Sequence, residues 1–165
     1  MVEGASATPP TDPFDPAEPE PIGILVGVDG SERSVDALRY ASDIAPKLGL
    51  DLRALAVWSY PALLYGSYAY PEEDPGPERD AHLILEGATR EVFGDEVPDW
   101  YTAAVRHGLA APTLIERSKT SQMLVLGSRG RGGFAGLMLG SVSSACTAHA
   151  YCPVLVIHHR SDHTS

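Results

Sequence analysis

Apolar positions along this chain alternate between short continuous runs and longer stretches with helical spacing. Residues 22–28 (IGILVGV) form an apolar, β-branched run of the kind found in strands buried on both faces. Asp29-Gly30-Ser31 breaks it. Val35, Leu38, Ala41, Ile44, Ala45 and Leu48 then recur on one helical face, with Gly49 as a natural stop and Pro46 expected to distort the last turn. Residues 51–58 (DLRALAVW) read as a second strand. Residues 77–93 read as a second helix with Leu83, Ile84, Ala88 and Val92 as its apolar stripe. Residues 100–107 predict a third strand, less apolar and so nearer an edge. Residues 111–119 predict a helix opened by Pro112, and residues 122–126 a fourth strand. A short helix over 141–150 and a fifth strand over 153–158 complete the series.

Strands alternating with helices in this way imply an α/β fold: one doubly wound, five-stranded parallel sheet with helices on both faces. Right-handed crossovers lead to the strand order 3-2-1-4-5. The order reverses between strands 1 and 4, and ligands of open α/β sheets bind outside the carboxyl ends of the strands at that point. The residues after Val28 and after Leu126 are therefore the ones to search.

Composition narrows the partners. The 165 residues carry 22 acids against 12 bases, a net charge of −10, which argues against a nucleic-acid surface or docking on anionic lipid. Residues 1–21 hold five of those acids, no Lys or Arg, and six of the 14 prolines. They read as a flexible leader ahead of a single domain over residues 22–160, with residues 161–165 as a disordered tail. Cys146 and Cys152 form neither a disulfide framework nor a zinc spacing, and suit small core residues in a reducing compartment. The six histidines show no metal spacing. Without a signal segment or a run of the ~20 apolar residues a membrane helix needs, the chain reads as cytoplasmic.

The search after the fourth strand finds residues 127–144, GSRGRGGFAGLMLGSVSS. Gly127-x2-Gly130 allows close backbone approach to a ligand, and Gly140-Ser141 opens a helix whose N-terminus presents free N–H groups and roughly half a positive charge. Ser141 and Ser143 add hydroxyls there, and Arg129 and Arg131 make the loop locally basic. This is the chemistry of a polyphosphate site, with a purely structural glycine-rich connection as the alternative. A Walker A loop is excluded because neither Lys47 nor Lys119 lies in a glycine loop. Gly130-x-Gly132-x-x-Ala135 follows the wrong strand for a dinucleotide fingerprint. No G-x-S-x-G elbow is present.

The spacing G-x2-G-x9-G-[ST], from Gly127 to Ser141, resembles the ATP-binding motif of the universal stress protein family. ILVGVDGS, VLGSRGRGG and CPVLVIHH are similar to that family as well, so the resemblance spans about residues 22–159. It implies a five-stranded α/β domain, usually dimeric through the last strand, in the branch that keeps the motif and binds ATP. Pairing residues 153–158 with their copy would also protect an otherwise exposed edge. Val28 and Val57 would then wall the adenine. Gly127, Ser128, Arg129 and Gly130 would hold the ribose and inner phosphates, and Gly140, Ser141, Val142 and Ser143 the outer ones. Asp29 would work near the ribose or adenine, or through a Mg²⁺ ion carried by the phosphates; its alternative role is to cap the helix that starts near Ser31. No metal site formed by the protein alone is expected. The long loop over residues 59–77, with Tyr65, Tyr68 and Tyr70, is either a lid or a surface loop.

These readings point to an ATP-binding regulator in stress response, with slow or no hydrolysis, because nothing supplies an evident general base. The alternatives are a low-turnover ATPase centred on Asp29 and Mg²⁺, and a sensor of another adenine nucleotide such as cyclic AMP.

Overall fold

The computed structural model describes residues 22–60, 76–131 and 138–158. Over these residues β1 (Ile22–Gly27), α1 (Glu32–Leu48), β2 (Leu52–Trp58), α2 (Gly76–Phe93) and β3 (Tyr101–His107) are followed by α3 (Ala110–Ser118), β4 (Ser121–Gly127), α4 (Ser141–His149) and β5 (Val154–Ile157). All strand pairs are parallel and the order is β3-β2-β1-β4-β5, the doubly wound α/β arrangement the sequence implies. Element ends fall within one or two residues of those expected. The leader over residues 1–21, the tyrosines at 65, 68 and 70 and the tail over 161–165 lie outside the described residues.

Strand alternation sorts the core into two layers. Ile24, Val26, Ala54, Ala56 and Val125 face α1 and α2, whereas Leu25, Leu55, Leu124 and Leu126 face α3 and α4. Ile24, Leu25, Leu52 and Leu124 are fully buried. Each such side chain contributes about 1.5–3 kcal/mol relative to exposure.

The helical stripes are narrower than the sequence suggests. On α1, Val35, Leu38, Ala41 and Ala45 are buried and Ile44 packs beside them, but Leu48 is 55% exposed. On α2 the buried stripe is Ala81, Leu85 and Ala88, with Ile84 and Val92 at its margin, while Leu83 is 54% exposed. Leu48 lies in the last turn of α1, and Leu83 sits two residues from both Ala81 and Leu85, a spacing that turns it outward. Pro46 does not end α1, which runs on to Leu48. There Gly49, at φ 66°, donates its N–H to the carbonyls of Ala45 and Pro46.

Both sheet edges follow the order. β3 has Thr102 and Ala103 exposed, in keeping with the edge position its composition predicts, and the four residues of β5 are half-buried. At the carboxyl ends of β2 and β3, the Trp58 ring lies tilted against His107 with ring centroids 4.6 Å apart. At their opposite ends Trp100 meets Phe93 edge-on at 5.9 Å. No described helix is long and apolar enough to cross a membrane.

Candidate functional site

A cavity of about 440 Å³ opens outside the carboxyl ends of β1 and β4, where the strand order reverses. Val28, Asp29, Val57, Gly127, Arg129, Gly130, Gly140, Ser141, Val142 and Ser143 all line it, so the sheet collects residues far apart in the sequence at one opening. Ser128, expected in the same set, does not line it. Ser128 is 2% exposed, its N–H donates to the Ile157 carbonyl at 2.8 Å, and its own carbonyl accepts from Gly140 N–H at 2.7 Å. It joins β4, β5 and the start of α4 from within the protein. Leu55, Leu114, Leu126 and Ala110 also line the cavity. Those from α3 are absent from the sequence reading, because only the folded sheet order brings α3 beneath the site.

The lining divides into an apolar and a polar part. Val28, Leu55, Val57, Leu114 and Leu126 form one wall, while Gly127, Arg129, Gly130, Arg131 and residues 139–143 form the other. On the polar side α4 is preceded by Gly140 at its N-cap, whose φ of −73° and ψ of 167° are open to any residue and which brings no capping side chain. The Ser144 N–H bonds the Gly140 carbonyl at 2.9 Å, leaving the N–H groups of Ser141, Val142 and Ser143 as the uncapped donors of the first turn. The Ser143 hydroxyl donates to the Gly127 carbonyl at 2.7 Å, tying the helix start back to the loop. Arg129 adds a buried Nε that has no hydrogen-bond partner among the described residues. Unpaired donors and a positive helix end can hold an anion here, beside a slot suited to a flat apolar group.

α4 is anchored by Cys146, fully buried beneath the sheet. Burial, and secondarily the neighbouring Cys152, pushes its thiol up to about 11, so it behaves as an apolar side chain rather than a nucleophile. Cys146 and Cys152 are both free.

The helix α1 is capped by Ser31, whose hydroxyl accepts from the Ser34 N–H at 3.2 Å, and not by Asp29. Asp29 instead accepts the Ser31 N–H at 3.0 Å and the Ser31 hydroxyl at 2.6 Å on Oδ1, and the Arg131 N–H at 3.1 Å on Oδ2.

The glycines differ in their surroundings. A Cβ at Gly127 would come within 2.7 Å of the Arg33 backbone carbonyl, and one at Gly130 would overlap the Asp29 carboxylate. A Cβ at Gly140 would meet nothing closer than the Arg129 Cα at 3.4 Å, an ordinary contact. Among the described residues no cluster of three or more His, Cys, Asp or Glu is placed to hold a metal ion.

Residues 23–158 match the model of the Universal stress protein family. The chain is 35% identical to Universal stress protein Rv1996 of Mycobacterium tuberculosis over 164 residues, covering 93% of this chain and 49% of that protein. It thus spans about half the length of the curated relatives it matches. Among solved structures it is similar to the universal stress protein UspA from Lactobacillus plantarum, with TM-score 0.66, 25% identity, and coverage of 84% of this chain and 98% of that one. It is also similar to a universal stress protein family protein from Arabidopsis thaliana, whose crystal structure has AMP bound. That match has TM-score 0.53 and 25% identity, and covers 88% of this chain and 97% of that one.

Proposed function

This chain belongs to the universal stress protein family, and from that premise we propose that its cavity binds ATP and that nucleotide occupancy makes the protein a regulator in stress response. Gly140 carries the reading. Neither its backbone angles nor its protein neighbours require glycine, which supports close approach of a phosphate to the start of α4 as the reason for one there. The orphaned Arg129 Nε and the uncapped first turn of α4 supply donors at that place. A cavity of about 440 Å³ is of the size that holds a nucleotide, and AMP in the Arabidopsis relative supports adenine as the base.

In this proposal Val28 and Val57 hold the adenine, with Leu55 and Leu114 completing the wall. Gly127, Arg129 and Gly130 face the ribose and inner phosphates, and Gly140, Ser141, Val142 and Ser143 the outer ones. Mg²⁺ would arrive on the phosphates and offset their charge. Asp29 is the one carboxylate among the described lining residues, and both its oxygens accept internal hydrogen bonds. A side chain so engaged is a poor base for activating water, which supports slow or absent hydrolysis.

We further propose a cytoplasmic homodimer joined through β5. Half-exposed apolar residues on β5 and the exposed Tyr40 and Leu48 on the adjacent α1 support that surface.

The decisive experiment is to denature the purified protein, identify any released nucleotide, and titrate the stripped protein with ATP, AMP and cyclic AMP. ATP binding strongest of the three is the expected result; no binding of any would sink the proposal, and preference for cyclic AMP would replace ATP as the ligand. Linear phosphate release abolished in Asp29→Ala would make the protein an ATPase instead. Light scattering on Val156→Asp, expected monomeric against a dimeric wild type, tests the β5 surface.

A further inference from the structure

Within this proposed nucleotide site, we infer that Asp29 is a positioning residue: it sets the phosphate-facing loop through the Arg131 amide and does not itself touch the ligand or its metal. The inference rests on the nucleotide reading but specifies a different route for Asp29 than direct contact.

Three donors converge on this carboxylate. Ser31 supplies its N–H at 3.0 Å and its hydroxyl at 2.6 Å, and Arg131 supplies its N–H at 3.1 Å from the loop after β4. A carboxylate offers about four acceptor positions, so most of its capacity is spent inside the protein. The post it stands on is rigid as well. The Asp29 N–H donates to the Ser34 hydroxyl at 3.3 Å, that hydroxyl donates to the Ser31 carbonyl at 2.8 Å, and Ser31 is the cap of a 17-residue helix. Asp29 therefore fixes the loop to the head of α1.

The consequence for the site follows from where the loop's N–H groups go. Ser128 N–H is used on Ile157, Gly140 N–H on Ser128, and Arg131 N–H on Asp29. The N–H groups of Arg129 and Gly130, between those fixed points, have no partner among the described residues. Drawing the Arg131 amide onto Asp29 holds the turn in which its two predecessors remain available. Gly130 is packed so closely on the carboxylate that a Cβ there would overlap Oδ2. The donors also offset the negative charge that would otherwise face an approaching phosphate.

Calorimetric titration of wild type and Asp29→Ala with adenosine, AMP and ATP, each in Mg²⁺ and in EDTA, separates the roles. Loss of one charge-assisted hydrogen bond predicts AMP and ATP affinity lower by roughly 10-fold, with adenosine unchanged and the same loss in EDTA. If adenosine weakens as much as AMP, Asp29 touches the nucleoside; if the loss disappears in EDTA, it is a metal ligand. Either outcome overturns the inference. Gly130→Ala should weaken AMP in the wild type but add nothing in the Asp29→Ala background, since the overlap it creates is then gone; simple additivity of the two losses counts against the contact. A ligand-free measurement keeps the test independent of the nucleotide reading. Amide exchange at Arg131, followed by NMR under conditions where both proteins remain folded, should accelerate in Asp29→Ala by more than at amides of the central strands β1 and β4. Unchanged exchange at Arg131 refutes the role of Asp29, whereas a wild type that binds no adenine compound refutes the nucleotide proposal and leaves the exchange result to decide this one.

Discussion

The two halves of the glycine motif look alike in the sequence and differ in what they are for. In the first half, Gly127 and Gly130 are glycine because the protein fills the place of a Cβ itself, with the Arg33 backbone in one case and the Asp29 carboxylate in the other. In the second half, Gly140 has an ordinary backbone, and a Cβ there would make only ordinary contacts with residues 128–130, so the fold alone does not ask for glycine. The first half is a packing joint between β4 and the head of α1. The second opens a helix terminus without a capping side chain, and that is where the proposed phosphate contacts lie.

Substitutions can break or sharpen this contrast. Gly140→Val should reduce ATP affinity by roughly 100-fold, since it both occupies the phosphate position and blocks charge-assisted N–H contacts. Its stability should fall by less than about 1 kcal/mol, the scale of a changed N-cap; calorimetry and urea unfolding together check both statements, and full affinity would make Gly140 structural like its partners. Gly127→Ala should do the opposite. Forcing a methyl against backbone costs about 2 kcal/mol in urea unfolding, while the folded fraction still binds ATP. Arg129→Gln sits between the halves: ATP affinity should drop about 10-fold as one charged partner is lost, with stability within about 0.5 kcal/mol of wild type. The smallest effect is expected for Ser143→Ala, which removes the hydroxyl bond joining the halves and should cost about 1 kcal/mol of stability. A stability loss for Gly140→Val as large as that for Gly127→Ala would erase the distinction.

The sheet was legible because buried parallel strands are written as near-continuous apolar runs, as in IGILVGV and LRALAVW, and because crossover handedness leaves few orders for five of them. Helix faces were less so. Periodicity places Leu48 and Leu83 on apolar stripes, yet the last turn of α1 leaves Leu48 exposed, and the packed stripe of α2 runs through Ala81 and Leu85, two residues to either side of Leu83. At the site, spacing located the loop and the start of α4, but not the inward turn of Ser128, which is decided by the β5 carbonyl waiting for its N–H. Nor could spacing reveal Ala110 and Leu114, since their place in the wall comes from the packing of α3. The bond from Arg131 to Asp29 links residues from two separate loops and has no local signature.

The sequence holds two tryptophans, and the fold sets them at opposite ends of the sheet. Trp58 follows directly on Val57 but turns to the opposite face of the sheet, where its ring lies tilted against His107 at the carboxyl ends of β2 and β3. Trp100 lies at the far end against Phe93. The molecule thus carries its own optical contrast. Emission from Trp58 reports the carboxyl ends of β2 and β3 and that from Trp100 the opposite ends, so Trp58→Phe and Trp100→Phe variants separate the opening of the two ends of the sheet during unfolding without any attached dye.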